Sequence, residues 1–149
     1  KPLDSHLQLG AKLAALRARG VLIVGSGNVV HNLRAMDRHQ PDGGFDWAQR
    51  FDDAARALMT ERPHDVPSLA SHRDYKLAVP TDEHFLPLLY VAGLASAAGK
   101  TTDVLVDGYA LGSLSMTAYT LQAHCPEATG DGGGAAPIDT TLPPEDANV

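Results

Sequence analysis

Two histidines are the residues of this chain best suited to chemistry, and His31 is the first of them. It follows an unbroken apolar run rich in β-branched residues (21–24) and a small turn-forming cluster (25–28). This order predicts a buried strand, a tight turn and the start of a helix. His31 would then lie just beyond the carboxyl end of a strand, where α/β sheets bind ligands. Its imidazole titrates near neutral pH and can serve as a general acid, a general base or a metal ligand.

His84 stands in the second distinctive stretch, residues 80–87, with the sequence PTDEHFLP. Thr81 resembles a helix N-cap, which predicts that His84 occupies about the third position of a helix running to Gly99. The positive end of a helix disfavours an imidazolium ion, so we expect the neutral form that binds metal ions. Taken alone, each histidine also has an ordinary interpretation: His31 as a hydrogen-bonded core residue and His84 as part of a helix start.

Other motifs near the glycine-rich turn support weaker hypotheses. GSGNVV resembles the opening of a dinucleotide-binding fingerprint, but Val30 stands in place of the third glycine. Ser26 lies between two glycines without forming the GxSxG nucleophile elbow, so a hydrolase using Ser26 and His31 is a minor alternative. We expect the remaining histidines to face solvent, and their spacing does not match a zinc site: His6, His39, His64, His72 and His124.

The composition is that of an ordinary globular domain, and it excludes several functions. The chain has 149 residues, enough for one domain, and a net charge of −6 without a basic stripe, which gives no support for nucleic-acid binding. No apolar run is long enough to cross a membrane, and no segment has the pattern of a signal peptide. A single cysteine, Cys125, is typical of a reducing compartment, so we expect a cytoplasmic protein.

The elements that position these histidines alternate between helices and strands. Apolar residues at three- and four-residue steps predict helices over residues 4–19 and 45–60. Residues 103–107 and 114–121 are typical of strands. The predicted fold class is therefore α/β, a three-layer α/β/α arrangement with a mixed sheet, in one domain over residues 1–121. Glycine, proline and acidic residues then predominate, which predicts a disordered tail over residues 122–149.

Two motifs together carry a family resemblance. GSGNVVHNLR at residues 25–34 and PTDEHFLPLLYVAG at residues 80–93, in that order, resemble the DODA-type class III extradiol ring-cleavage dioxygenases of the LigB superfamily. HLQLGAKLAALRARGVLIVGSGN at residues 6–28 and DGYALGSLSM at residues 107–116 are also similar to this family. The resemblance covers the predicted domain and leaves the predicted tail uncovered.

The resemblance implies an aromatic ring-opening dioxygenase. Its substrates would be O2 and a small catechol, 3,4-dihydroxyphenylalanine-like or another, at a mononuclear metal: Fe(II) in the first place and zinc as the alternative. His31 matches the family's catalytic acid/base histidine, and His84 matches a metal-ligand histidine. The family's two other metal ligands are histidines of its N-terminal half, and nothing in this sequence matches them. The chain begins at Lys1 and resembles the C-terminal portion, so we expect its partner to be the missing N-terminal half of the same protein.

A second function class stays open beside the oxygenase. The same superfamily fold includes relatives that resemble binding or signalling scaffolds, in which the metal site is altered. The presence of both His31 and His84 favours the oxygenase. The two unmatched metal ligands favour the non-catalytic relative.

Overall fold

The computed structural model describes residues 1–122; residues 123–149, which contain nearly all of the predicted tail, lie outside the described part. The described elements are helices α1 (Leu3–Arg17), α2 (Asp46–Glu61), α3 (Tyr75–Ala78) and α4 (Leu86–Ala97), the 3₁₀ helices Leu33–Ala35 and Pro63–Ser71, and strands β1 (Asp103–Val106), β2 (Tyr109–Ala110), β3 (Leu114–Ser115) and β4 (Ala118–Thr120). None of the helices within residues 1–122 has the length and apolar character needed to cross a membrane.

Helices α1 and α4 pack against each other through two glycines. The helix predicted over residues 4–19 is confirmed by α1. A Cβ atom at Gly10 would lie 2.5 Å from the carbonyl oxygen of Tyr90, and one at Gly93 would lie 2.7 Å from the backbone nitrogen of Ala11. Since no side chain fits in such a space, the two backbones are in direct contact. This contact fixes α4, whose N-terminal end directly follows the turn that contains His84.

The hydrophobic core lies between α2, α4 and the segment that carries His31. Phe51 and Met59 of α2, Leu89 of α4 and Val30 are all fully buried in one cluster. The helix predicted over residues 45–60 is thus confirmed by α2, and its apolar stripe faces this cluster. Full burial of such side chains stabilises a fold by about 1.5–3 kcal/mol each. Val30 therefore anchors the backbone next to His31 in the core.

The strand predicted over residues 21–24 is wrong for the described structure. These residues form no ladder, and the side chains of Leu22 and Val24 are 85% and 78% exposed. No backbone hydrogen bond joins residues 22–27 to any other of residues 1–122. A strand requires a neighbour with which to pair, and the described part of the chain supplies none at this place. The apolar stretch consequently has no regular structure and lies open to solvent.

The strands that do form are short and antiparallel. β1 pairs with β4, with Asp103 opposite Thr120, and β2 pairs with β3, with Tyr109 opposite Ser115. The predicted α/β class is confirmed, as is the strand predicted over residues 103–107. Within residues 1–122 the strands form two antiparallel pairs instead of one mixed sheet between two helical layers. The unpaired apolar stretch over residues 21–24 accounts for part of this difference, because it is the strand expected at the centre of that sheet.

Candidate active site

His31 lies in a segment that is held by backbone hydrogen bonds on both sides. Its N–H donates to the carbonyl oxygen of Ala78 at 2.9 Å, and on the other side it forms an isolated antiparallel bridge with Leu114. The carbonyl oxygen of the buried Val30 accepts a hydrogen bond from the N–H of Ser115 at 3.0 Å. The backbone of His31 is therefore fixed between α3 and the β3 segment.

Asn32 ends this segment and turns the chain. Its side-chain oxygen accepts hydrogen bonds at 3.2 Å from two N–H groups of the 3₁₀ helix Leu33–Ala35, and its side-chain nitrogen donates to the carbonyl oxygen of Leu77 at 2.8 Å. The helix predicted to start after the turn-forming cluster at residues 25–28 is wrong apart from this single turn, because neighbouring segments bind the preceding peptide groups. His31 accordingly lies before a capped turn and not inside a helix.

His84 lies in the turn that precedes α4. The carbonyl oxygen of Asp82 accepts hydrogen bonds from the N–H groups of Phe85 and Leu86 at 2.9 Å, and α4 begins only at Leu86. The predicted position of His84 within the helix is therefore wrong. The adjacent Phe85 is fully buried, so its side chain anchors the turn in the core. This anchor leaves His84 at the surface of the core, next to the glycine-rich turn.

The glycine-rich turn brings His84 close to His31. The N–H of Asn28 donates to the carbonyl oxygen of His84 at 3.0 Å, and the side-chain amide of Asn28 donates to the carbonyl oxygen of Ser115 at 2.8 Å. A Cβ atom at Gly27 would lie 3.1 Å from the carbonyl carbon of His84 and would overlap its carbonyl oxygen. Only glycine permits so close an approach of the two backbones at this point.

The imidazole rings of His31 and His84 stack on each other. Their centroids are 3.7 Å apart and their planes differ by 13°, and both residues are half-buried. Burial, followed by the neighbouring His84, lowers the pKa of His31 below its ordinary value. The nearby Glu83 carboxylate opposes this shift of the pKa. A histidine that is neutral at neutral pH can accept a proton from a bound acid, so this environment suits a general base.

A cavity of about 350 Å³ opens beside the stacked histidines. Arg34, Thr81 and Glu83 also line it, so residues with a guanidinium, a hydroxyl and a carboxylate border the same space as the two histidines. The backbone amide of Glu83 holds the pKa of that carboxyl below its usual range, so the carboxylate is charged at neutral pH. The volume and the mixture of polar groups suit a small ligand with hydrogen-bonding groups.

The described residues do not complete a metal site around His84. No three His, Cys, Asp or Glu side chains within residues 1–122 lie close enough together to hold a metal ion. Mononuclear zinc and non-haem iron sites use three or more protein ligands. His84, with His31 stacked on it and Glu83 nearby, therefore does not fit a resident metal without further ligands.

Ser26 does not join the site. It is exposed, and it is not among the residues that line the cavity beside the histidines. Within the described residues no hydrogen bond connects its hydroxyl to His31. The hydrolase alternative therefore has no support from the geometry, since a serine nucleophile needs its base within hydrogen-bonding reach.

Of the remaining histidines within residues 1–122, two are exposed and two are half-buried, and His124 lies outside the described residues. His39 and His64 are exposed, as predicted. His6 and His72 are half-buried, which differs from the prediction. The nearest ring nitrogen of His6 lies 3.1 Å from the hydroxyl oxygen of Tyr90, and His72 packs edge-on against an aromatic ring of α2. Both therefore pack against aromatic side chains, and neither lines the cavity beside the stacked pair.

Some residues that shape the site are not apparent as functional in the sequence. In the sequence Asn28 is only the last residue of the turn-forming cluster, yet its two nitrogen atoms connect the segments of both histidines. Asp52 is fully buried in α2 and accepts hydrogen bonds from three hydroxyl groups. A signal for Asp52 does exist: it stands in the apolar stripe of α2, four residues after Ala48 and three before Ala55.

Comparison with known proteins identifies a family over nearly all of the described chain. The family profile described as the catalytic LigB subunit of aromatic ring-opening dioxygenase matches residues 2–120. The 4,5-DOPA dioxygenase extradiol of Escherichia coli K12 is 41% identical over 120 residues, which cover 78% of this chain and 44% of that protein. The protein of the same name from Portulaca grandiflora is 34% identical over 117 residues, 76% of this chain and 42% of that protein.

One solved structure resembles the described fold. It is the crystal structure of an uncharacterized protein from Escherichia coli K12, with a TM-score of 0.73 and 39% sequence identity. The match covers 80% of this chain and 50% of that one. The chain therefore spans half or less of the length of the proteins to which it is compared here.

Proposed function

The chain belongs to the LigB family of catalytic subunits of aromatic ring-opening dioxygenases, and on this premise we propose that it forms part of an extradiol dioxygenase. The reaction would open the ring of a catechol beside its two hydroxyl groups, with O2, at one bound metal ion. The single observation that carries the proposal is the stacked pair of His31 and His84 at one cavity.

His31 is the proton-transfer group in this proposal. A catechol must lose a hydroxyl proton to become a good electron donor, and the product must regain one. The pKa of His31, which burial and His84 lower, favours a neutral imidazole that can accept the first proton and later return it. The two backbone contacts of His31 with Ala78 and Leu114 hold the imidazole at a fixed place in the cavity.

His84 is a metal ligand in this proposal, with Fe(II) as the metal and zinc as the alternative. An iron ion held by His84 and further ligands would supply redox chemistry with O2, which zinc would not supply because it has no redox change. The curated relatives are more than twice as long as the segment that matches this chain. We therefore propose that the two ligands lacking here come from the part of the family domain outside this chain.

The substrate in this proposal is a small catechol that carries an anionic group. The similar proteins are named for 4,5-dioxygenation of DOPA, an amino acid with a carboxylate. Arg34 lines the cavity beside His31, and its guanidinium could pair with such a carboxylate. Thr81 and Glu83, which also line this cavity, add a hydroxyl group and a carboxylate that could bind an ammonium group.

The test measures oxygen uptake and metal content together, in the natural protein that contains this chain, with Fe(II) added. His31→Ala should keep the metal and lose roughly 10²- to 10⁴-fold in catechol-dependent oxygen uptake, the usual contribution of a general acid–base group. His84→Ala should lose both metal and activity. His64→Ala, at an exposed site outside the cavity, is the matched control and should change neither. A metal-replete His31→Ala protein with undiminished uptake would contradict the proton-transfer role.

The coding sequence upstream of Lys1 provides a second test. It should encode two further histidines that bind the same metal as His84. Substitution of either by alanine should remove the metal as His84→Ala does. A natural protein that starts at Lys1 and binds no metal would exclude an oxygenase formed by this chain alone.

The second candidate is a non-catalytic relative that binds or scaffolds other molecules. It is favoured by the lack of a three-ligand group within residues 1–122. A wild-type protein of natural length that consumes no oxygen with any catechol, with Fe(II) added, would support this candidate. We also propose a cytoplasmic location, consistent with the single cysteine of the sequence, which fractionation of the source cells would check.

A further inference from the structure

A buried carboxylate lies outside the cavity and takes no part in the chemistry proposed above. Asp52 of α2 is 0% exposed. Its Oδ1 atom accepts a hydrogen bond from the Ser115 hydroxyl at 2.6 Å, and its Oδ2 atom accepts hydrogen bonds from the hydroxyl groups of Thr117 at 2.8 Å and Tyr109 at 3.3 Å. The guanidinium of Arg56 lies 3.7 Å from Oδ2. A buried carboxylate is unfavourable unless hydrogen-bond donors or a cation contact its oxygens. Each of these donors therefore stabilises Asp52 in its buried position.

The Ser115 contact connects this carboxylate to the candidate active site. The N–H of Ser115 donates to the carbonyl oxygen of Val30 at 3.0 Å, and its carbonyl oxygen accepts from the side chain of Asn28 at 2.8 Å. The preceding residue, Leu114, forms the bridge with His31. Ser115, which donates its hydroxyl to Asp52, thus also holds the backbone of Val30, the residue before His31.

The two carboxylate oxygens of Asp52 have separate roles. Oδ1 contacts Ser115, whose backbone pairs with the His31 segment. Oδ2 contacts Thr117 and Tyr109, and neither of these has a backbone hydrogen bond to residues 28–32 within the described chain. The N–H of Thr117 donates to the Ser115 hydroxyl at 3.2 Å, so Thr117 reaches the His31 segment only through Ser115. Burial raises the pKa of Asp52, and the hydrogen bond from Ser115 is the strongest influence that opposes this. The hydrogen bond from Ser115 is therefore the shortest of the three hydroxyl contacts to Asp52, and its donor is the residue whose backbone pairs with the His31 segment.

We propose that Asp52 is a positioning residue which, through Ser115, holds His31 in its stacked place against His84. Asp52 does not touch the cavity, so its effect would reach the reaction only through the location of the His31 ring. A displacement of a catalytic group by about 1 Å can reduce a rate roughly 10²-fold. A carboxylate outside the cavity can therefore affect the rate if it determines where the His31 ring lies. The inference rests on the proposed role of His31, although its structural part can be tested without any catalysis.

The test compares two variants that each delete one hydroxyl donor to the same carboxylate. Ser115→Ala removes the donor whose backbone pairs with the His31 segment, together with the acceptor of the Thr117 N–H, and Thr117→Val removes only a hydroxyl donor to Oδ2. Both residues are buried, so both variants should lose stability in a denaturant titration, Ser115→Ala more because its hydroxyl makes two hydrogen bonds. Only Ser115→Ala should reduce kcat for oxygen uptake, roughly tenfold or more, with KM changed less than about twofold. Thr117→Val should keep kcat within about twofold of wild type.

A nuclear magnetic resonance measurement decides the structural part even if the protein has no dioxygenase activity. The ring-proton shifts of His31, assigned by their loss in His31→Ala, report on the stacked ring of His84. They should change in Ser115→Ala and stay as in wild type in Thr117→Val. Asp52→Ala should change them as Ser115→Ala does, whereas Asp52→Asn should restore them, because either orientation of the amide keeps a hydrogen bond with the Ser115 hydroxyl.

Two results would overturn the proposal. One is a folded Ser115→Ala protein whose His31 ring shifts are those of wild type. The other is an equal change of these shifts in Thr117→Val, which would show that loss of any donor to Asp52 loosens the fold in general. Changed shifts in Ser115→Ala without measurable oxygen uptake in wild type would support the positioning role and refute the proposed function instead.

Discussion

Substitution of Gly27 by alanine should separate the two histidines while leaving both in the chain. A Cβ atom at residue 27 would lie 3.1 Å from the carbonyl carbon of His84 and would overlap the carbonyl oxygen. Ordinary contact between such atoms requires about 3.5–4.0 Å, so the His84 turn must move away by roughly 0.5–1 Å. The hydrogen bond from the Asn28 N–H to the same oxygen, now 3.0 Å long, would be stretched or lost.

The expected size of the effect follows from this displacement. Overpacking of this kind reduces the free energy of unfolding by roughly 1–3 kcal/mol. Misplacement of His84 relative to His31 by up to 1 Å should reduce catechol-dependent oxygen uptake roughly 10²-fold. The backbone of Gly27 has no positive φ, so the effect comes from close contacts of the added Cβ atom: first with the backbone of His84, and also with the Pro87 side chain at 3.1 Å.

Gly25→Ala is the matched control for this experiment. A Cβ atom at Gly25 would lie 3.3 Å from atoms of Pro87, a close but tolerable contact, and its nearest neighbours are Pro87 and Val91 and not His84. We expect Gly25→Ala to keep activity within about threefold of wild type. Oxygen uptake, metal content and denaturant titration are measured for both variants. Wild-type activity and stability in Gly27→Ala would refute the argument that the glycine is required for the approach of the two segments.

Three further predictions concern helix packing, pH and the substrate. Gly93→Ala places a Cβ atom against the backbone of α1 and should reduce the free energy of unfolding by about 1–3 kcal/mol in a denaturant titration. Its control is Gly43→Ala, whose Cβ atom meets only a glutamine side chain and should change the same free energy by less than about 0.5 kcal/mol. Burial raises the pKa of Asp52, so the folded state binds the proton of its carboxyl group more tightly than the unfolded state does. The stability that this proton contributes is lost as pH rises through the folded-state pKa. An asparagine side chain cannot titrate, so the free energy of unfolding of Asp52→Asn should fall less than that of wild type as pH rises through the folded-state pKa of Asp52. An equally steep fall in both proteins would contradict the raised pKa. Arg34→Gln should raise KM for a carboxylate-bearing catechol roughly three- to tenfold and leave KM for unsubstituted catechol unchanged. Equal changes of KM for the two substrates would exclude a contact between Arg34 and the carboxylate.

Local patterns predicted α1 and α2 well, and the apolar stripe of α2 faces the core. The spacing of apolar residues over 45–60 depends on the helix period alone, and the structure agrees within a residue at each end. The strand over residues 103–107 was also predictable from a short apolar run between polar residues. In each case the stabilising contacts lie within the described chain.

The apolar stretch over residues 21–24 and the segment after it could not be predicted in the same way. A strand depends on a partner that is distant in sequence, and no pattern within five residues reveals whether that partner is present. The start of α4 also differs from the prediction, since the buried side chain of Phe85 and the carbonyl of Asp82 shape a turn where Thr81 resembles a cap. Tertiary contacts thus override the local signal at both places.

The candidate site was partly predictable from residue types. Two histidines in distinctive surroundings indicate chemistry, and the structure brings His31 and His84 together with their rings stacked. The roles of these two residues stay predictions until the variants are measured. The supporting contacts of Asn28, Asn32 and Asp52 were not predictable, because each connects segments that are far apart in the sequence.

The open apolar stretch over residues 21–24 has a consequence for the behaviour of this polypeptide in concentrated solution. Exposed leucine and valine side chains next to peptide groups without partners among residues 1–122 are what a growing intermolecular β-structure requires. Self-association should then rise steeply with concentration and with the time that the chain spends uncovered after synthesis. A lysine in place of Leu22 should slow this association by introducing charge repulsion, without contact with either histidine.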